Sequence, residues 1–231
     1  MGPDDRVAAV TGGAGYIGAA ITSWLSDAGF QVAVLDREGD FAVDLADEGS
    51  VRAASHRILE KFGRCDVLVH AGVAFDRITL SEIDVTAWRK VMAVNVEAPI
   101  WLCQELTPTM AQRHWGRVVF IVSDTVWNPP PVPDMLPYIT SKGALIGASR
   151  SLARSLGASG ITVNCVAPGL TPPPGSNAMR PEWVDDVRRQ QALPRSLVPA
   201  DVAGVVTFLA SDAAQAMTGQ VLCPDGGLVL R

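Results

Sequence analysis

The apolar run Val7-Ala8-Ala9-Val10 stops at Thr11-Gly12-Gly13-Ala14-Gly15-Tyr16-Ile17-Gly18, and helical periodicity takes over from Ala19 to Ala28. A strand, a glycine turn and a helix in that order leave few folds open. Glycines at 12, 15 and 18 permit a tight turn, let backbone N–H groups approach a pyrophosphate, and bring the helix close to the strand. The helix amino end adds partial positive charge at the same place. The alternation then continues to the end of the chain, which predicts an open, mainly parallel, doubly wound α/β sheet with helices on both faces, in the Rossmann manner. Ligands of such sheets bind at strand carboxyl ends near the point where strand order reverses.

A second strand, Gln31–Leu35, delivers Asp36 at its carboxyl end. A carboxylate there is placed to accept two ribose hydroxyls and to repel a 2′-phosphate, so NAD is favoured over NADP. The neighbouring Arg37 is a guanidinium that could accept that phosphate. Only residues 37–40 separate Asp36 from the apolar Phe41-Ala42-Val43. A parallel crossover needs about a dozen residues, so 41–43 is expected to be at most a short edge strand, with a short or missing helix after the second strand. Asp44 and Leu45 then line the adenine end. Residues 48–62 read as a helix and Asp66 to Gly72 as a buried strand, with His70 a hydrogen-bonded structural histidine. From Asp84 to Trp115 the period is helical, and Pro99 and Pro108 are expected to bend or break it. Asn95 lies among apolar neighbours there, so its amide must be satisfied by a bridge or a polar network. Val118 to Val122 is a strand ending at Ser123, and five prolines between Trp127 and Pro137 make a stiff loop. Gly160 to Ala167 is a strand ending in Pro168-Gly169. A lid around residues 170–195 follows, with a helix near 181–191, then a helix from Pro199 to Ala210 and a last strand, Thr218 to Leu222.

With 231 residues, 48% of them hydrophobic, the chain suits one domain over 1–231. A formal charge of −5 and no Lys/Arg run argue against nucleic acid and anionic membranes, leaving small molecules or copies of itself as partners. Cys65, Cys103, Cys165 and Cys223 are far apart and each lies beside apolar residues, which predicts buried free thiols, no metal site and a reducing cytoplasm. The residues from Met1 to Arg6 lack a signal pattern, and no apolar run nears the ~20 residues of a membrane span.

Tyr138 and Lys142 stand four apart at the start of a helical stretch, so phenol and ammonium share one face. A cation beside a phenol favours the phenolate, which makes tyrosine usable as an acid or base near neutrality. Taken in order and spacing, Thr11-Gly12…Gly18, His70-Ala71-Gly72, Trp88…Asn95, Ser123, Tyr138…Lys142, Asn164…Pro168-Gly169 and Asp225-Gly226-Gly227 resemble the short-chain dehydrogenase/reductase family, in its single-domain oxidoreductase branch. The resemblance covers essentially the whole chain. It implies Tyr138 as general acid/base, Lys142 holding the nicotinamide ribose and lowering the tyrosine pKa, Ser123 binding the reacting oxygen, and Asn95 holding a relay water. It places Gly12, Gly15, Tyr16, Ile17 and Gly18 at the pyrophosphate, Asp36 and Arg37 at the adenosine ribose, Asp44 and Leu45 at the adenine, and Ala71, Gly72, Pro168 and Gly169 beside the cofactor. There are departures. Gly15 followed by Tyr16 has the spacing of the longer, sugar-nucleotide-modifying branch, His70 replaces the usual asparagine, and Pro173 stands where a threonine is usual, leaving Thr171 as the candidate for the carboxamide.

The expected activity is therefore NAD(H)-dependent interconversion of a secondary alcohol and its ketone by a homotetramer. Two other readings are an NADPH-dependent 3-oxoacyl reductase and a cofactor-sensing protein without turnover. Trp127, Val132, Met135 and Leu136 from the proline loop, with Leu170, Met179 and Trp183 from the lid, are expected to wall an apolar pocket, and Arg180, Arg188 and Arg189 to face solvent. That pocket suits an uncharged apolar or aromatic substrate.

Overall fold

The computed structural model describes residues 6–173 and 181–230, so the expectations for Met1 to Asp5, Met179 and Arg180 lie outside the described residues. Six parallel strands, β1 (Val7–Thr11), β2 (Gln31–Leu35), β3 (Val67–His70), β4 (Gly116–Ile121), β5 (Ile161–Val166) and β6 (Val221–Leu222), form one sheet in the order β2-β1-β3-β4-β5-β6. The order reverses between β1 and β3. That is where a crevice opens above the carboxyl ends.

Alternate strand residues point to opposite faces and bury two apolar layers. Ala8, Val10, Val67, Val69, Val119 and Ile121 pack against α1 (Tyr16–Asp27) and α7 (Pro199–Ala210) through Ile21, Leu25, Val202, Val206 and Leu209. Val7, Ala9, Leu35, Leu68, Val118, Phe120 and Val163 meet the other layer, α2 (Glu48–Phe62), α4 (Ala98–Gln112) and α5 (Leu136–Leu156), through Val51, Ile58, Leu102, Leu106 and Leu145. Local signals set the helix ends. Asp47 accepts from the Ser50 N–H and Asp84 from the Ala87 N–H at the starts of α2 and α3 (Val85–Met92), and Gly63 closes α2 with φ 69°.

As expected, no helix separates Asp36 from Phe41. Residues 41–43 are not a strand either: the Val43 N–H bonds the Asp36 carbonyl at 2.7 Å, and Phe41 and Val43 drop into the core. β2 is thus the sheet edge, and a full α2 follows directly.

The two prolines act differently from one another. Pro99 has no N–H for the Asn95 carbonyl four residues back, and the helix loosens there into a π-turn over Ala93–Glu97, in which the Ala98 N–H reaches back to the Ala93 carbonyl. Pro108 was expected to bend or break the helix, yet α4 runs through it. Gln104 and Pro108 both lie on the exposed side, where solvent can serve the carbonyl that loses its donor. Pro137 belongs to the first turn of α5 rather than to the loop, a position that needs no N–H.

The apolar residues of 84–115 and 138–156 divide between the core and the surface, with Trp88, Met92, Val94, Val96, Ile100 and Ile139 half-buried. Val91, Leu102, Leu106, Met110 and Leu145 are buried and Trp101 and Leu152 pack against the core, so Val85 is the large apolar residue of these spans left exposed among the described residues. The thiols of Cys65, Cys103 and Cys165 are buried and Cys223 is half-buried, and none of the four is in a disulfide. No helix among the described residues is long and apolar enough to cross a membrane.

Candidate active site

At the switch point the ends of β1 and β3 touch. The Thr11 hydroxyl lies 2.9 Å from His70 Nδ1 and accepts the Gly72 N–H at 3.0 Å, while the Ala71 N–H bonds the Thr11 carbonyl. Burial, with the charge of Lys142 second, pushes His70 down to about 3, so it is a neutral structural bridge. Only glycine fits here. A Cβ on Gly12, whose φ is +63°, would lie 2.8 Å from the Gly72 Cα, and one on Gly18 would lie 2.0 Å from the Gly12 carbonyl oxygen. Ala14, Gly15 and Tyr16 form the exposed lip of the turn, Ile17 packs inward, and α1 starts without a side-chain cap or an acidic residue in its first turn. Its first N–H groups are therefore turned toward the crevice mouth.

Asp36 projects from the end of β2 onto this turn, accepting the Ala14 N–H at 3.0 Å and the Arg37 N–H at 2.8 Å. Arg37 itself is exposed. Leu45 reaches the floor, since a Cβ on Gly72 would sit 2.4 Å from its Cδ1, whereas Asp44 stays exposed and accepts the Ala46 N–H. Pro168 and Gly169 end β5 in full burial. The Pro168 carbonyl accepts from Asp124, Gly169 donates to the Pro224 carbonyl, and Thr171 turns its hydroxyl back onto the Gly169 carbonyl. A glycine cradle, a bare helix end and a carboxylate at the neighbouring strand end fit a dinucleotide.

On the far side of the switch point, α5 carries Tyr138 and Lys142 one turn apart. Lys142 is buried and donates from Nζ to the Ile121 carbonyl at 2.8 Å, with the ammonium 5.6 Å from the Tyr138 ring centroid. Burial lowers it to about 8. The expected lowering of Tyr138 by Lys142 is not found. Burial, opposed by a Ser123 hydrogen bond and helped by the Asp124 charge, pushes the phenol up to about 12. Ser123, at the end of β4, accepts from the Thr125 hydroxyl at 2.9 Å and the Thr125 N–H at 3.3 Å, and donates to Asp124 Oδ1 at 3.3 Å.

Asn95 is fully buried in the π-turn. Its amide accepts the Ala74 N–H and donates to the Ala74 carbonyl and to Ser141 Oγ at 2.9 Å, and Ser141 in turn donates to the Tyr138 carbonyl. The side chain is both a bridge and a network member, locking the loop after β3 to the first turn of α5.

Phe75 and Asp124 are absent from the sequence reading. Phe75 stands edge-on to Tyr138, ring centroids 4.7 Å apart, and its loop is tied to the proline loop by Arg77–Asp134 (2.8 and 3.2 Å) and by the Ile78 N–H on the Asp134 carbonyl. No periodicity marks it. Asp124 could have been noticed as an acid next to a buried strand end; burial, with Asp225 second, raises it to about 6. Trp127, assigned to the pocket wall, packs against the core instead. Leu136 is exposed at the mouth, Val132, Met135 and Leu170 are half-buried, and Trp183 lies on α6 (Pro181–Gln190). Arg188 and Arg189 pair with Asp185 and Asp186 along α6; both are exposed as expected, and Arg188 also lines a small pocket with Leu170, Val184 and Val187. Among the described residues no group of three His, Cys, Asp or Glu could hold a metal.

A parallel sheet with a glycine turn at its switch point is the architecture of dinucleotide-binding proteins. The family described as enoyl-(acyl carrier protein) reductase matches residues 12–229. Among curated proteins, "Probable galactose dehydrogenase GalD" of Rhizobium meliloti (strain 1021) is 32% identical, covering 97% of this chain and 95% of its own. The 3-oxoacyl-(acyl-carrier-protein) reductase FabG of Staphylococcus aureus (strain Mu50 / ATCC 700699) is 31% identical, covering 97% and 98%. A solved blue fluorescent protein from a metagenomic library, in complex with NADPH, superposes with a TM-score of 0.87 at 30% identity, covering 97% and 98%. The chain belongs to the short-chain dehydrogenase/reductase family.

Proposed function

We propose that the protein interconverts a secondary alcohol and its ketone with NAD(H), as one catalytic unit over residues 1–231 with a substrate lid around 170–195. The observation that carries this reading is the proximity of Tyr138, at the start of α5, to Lys142 one turn on and to Ser123 beyond the end of β4. Bound there, a nicotinamide dinucleotide supplies the hydride acceptor or donor. Gly12, Gly15, Tyr16, Ile17 and Gly18 would hold its pyrophosphate, Asp36 and Arg37 the adenosine ribose, Asp44 and Leu45 the adenine, and Ala71, Gly72, Pro168, Gly169 and Thr171 the nicotinamide end. Lys142 would hold the second ribose. As the phenolate, Tyr138 Oη takes the alcohol proton in oxidation, and as the phenol it gives that proton back in reduction, while Ser123 Oγ holds the reacting oxygen. Asn95, whose carbonyl loses its usual helical donor to Pro99, is the candidate to hold a relay water.

Asp36 supports NAD, because its charge would face a 2′-phosphate. A charge contact of that kind is worth about 1–3 kcal/mol, or about tenfold to a hundredfold. A second reading, an NADPH-linked 3-oxoacyl reductase, draws on the exposed Arg37 and on the FabG relative. Phe75 against Tyr138, with Met135 and Leu136 just before it in the chain, supports an uncharged apolar or aromatic substrate. Buried thiols support a reducing cytoplasm. The test is kcat/KM with NAD and NADP along 2-alkanols and 1-aryl-ethanols. A rise of about fourfold per methylene is expected, from about 0.8 kcal/mol each. A flat trend with better use of hydroxy acids rejects the apolar pocket, and parity of the two cofactors rejects the role of Asp36.

A further inference from the structure

The end of β4 holds a buried carboxylate that the reaction described above does not use. Asp124 is 6% exposed, one residue from Ser123 and close enough to Tyr138 for its charge to raise the phenol. Its backbone N–H is fastened to the Pro168 carbonyl, and Gly169 packs on Asp225 so closely that a Cβ would lie 2.7 Å from the Asp225 Cα. Two acids from different strand ends are thereby brought together beneath the crevice. Asp225 has firm partners, the N–H groups of Gly227 and Val229 at 2.9 and 2.8 Å. Lys142 is turned onto the Ile121 carbonyl. The groups facing Asp124 are thus the Ser123 and Thr125 hydroxyls from its own segment, Tyr138 from α5, and Asp225 from beyond β6.

A serine hydroxyl has one proton and two lone pairs. Thr125 serves the lone pairs from its hydroxyl and, more weakly, its N–H, and the proton points at Asp124 Oδ1. We propose that Asp124 is a positioning residue that decides whether Ser123 has a proton to offer: ionised, it holds the serine proton and withholds it from the substrate; protonated, it releases Ser123 to donate to a carbonyl oxygen. Asp124 would thus favour ketone binding on the acid side of its own titration and weaken it on the alkaline side. Burial and the neighbouring Asp225 place that titration near neutrality, at about 6.

This inference rests on the proposed roles of Tyr138 and Ser123. The experiment is the pH profile of kcat/KM for both directions in the wild type, Asp124→Asn and Asp124→Glu, with Tyr138→Phe alongside. In the wild type, ketone reduction should lose efficiency through an inflection within about one unit of pH 6. Asp124→Asn should lack that inflection and should bring the alkaline limb of alcohol oxidation to lower pH by about half a unit to one unit, since a negative charge beside the phenol is gone. Asp124→Glu should restore both features. Should Asp124→Asn fail to fold, Asp225→Asn takes its place: removing the like charge should move the inflection to lower pH. Asparagine profiles that superimpose on the wild type while Tyr138→Phe is inactive overturn this inference alone. Turnover by Tyr138→Phe overturns the underlying assignment.

Discussion

Tyr138 and Lys142 share a helical face because they are four apart, but what each does is set by what the fold packs around it. The pair is not a simple phenol–ammonium contact, since the Ile121 carbonyl takes the ammonium and burial raises the phenol to about 12. Tyr138→Phe should abolish turnover with NADH binding within a few-fold of wild type, because it removes the proton acceptor and keeps the ring. Lys142→Ala should damage turnover and binding together. Fluorescence titration with NADH separates the two, and equal loss of binding in both variants contradicts the division of roles. Asp124 carries a stability prediction of its own. Its folded value of about 6 lies above the ordinary 3.8, so between the two the folded chain holds the extra proton and stability falls as pH rises. Asp124→Asn should gain at most about 3 kcal/mol above pH 6 and nothing below about pH 4. Denaturant melts across pH 4–8 check it, and a constant difference over the range would contradict the cause.

At the scale of elements, the glycine turn and the two loops over Tyr138 set the site's dimensions. Gly18→Ala drives a Cβ to 2.0 Å from the Gly12 carbonyl oxygen, a backbone atom that cannot step aside, so it should lose cofactor binding or the fold itself. By contrast, Gly143 and Gly147 of α5 have nothing within 4 Å of a built Cβ, and alanine at either should stabilise an isolated chain by about 0.5–1 kcal/mol through helix propensity. Thermal melts of the three variants provide the contrast. The Arg77–Asp134 pair clamps the Phe75 loop to the proline loop across an exposed surface, where an ion pair is worth under about 1 kcal/mol. Arg77→Ala should therefore leave stability nearly unchanged yet raise KM for the bulkier alcohols several-fold. An unchanged KM along the alcohol series would show that this wall does not contact the substrate.

For the whole molecule, a homo-oligomer, expected to be a tetramer, remains our proposal. Trp88, Met92, Val94, Val96, Ile100 and Ile139 of the spans 84–115 and 138–156 are half-buried, and Trp24 on α1 and Phe208 on α7 are 43% and 40% exposed. Light scattering over a dilution series should give a multiple of 24.4 kDa; the monomer mass throughout refutes assembly. The alternation of strands and helices, the glycine turn, Asp36 at the end of β2, and the order of Ser123, Tyr138 and Lys142 were legible in the chain. Each rests on contacts within a few residues or on a fixed period, so neighbouring residue types suffice to specify it. Asp124 beside Asp225, Phe75 across from Tyr138, the Lys142 amine on Ile121, Trp127 in the core and the π-turn that seats Asn95 were not. They join segments tens of residues apart or answer to burial, and only the packed sheet determines which distant groups meet and how far water is kept from them.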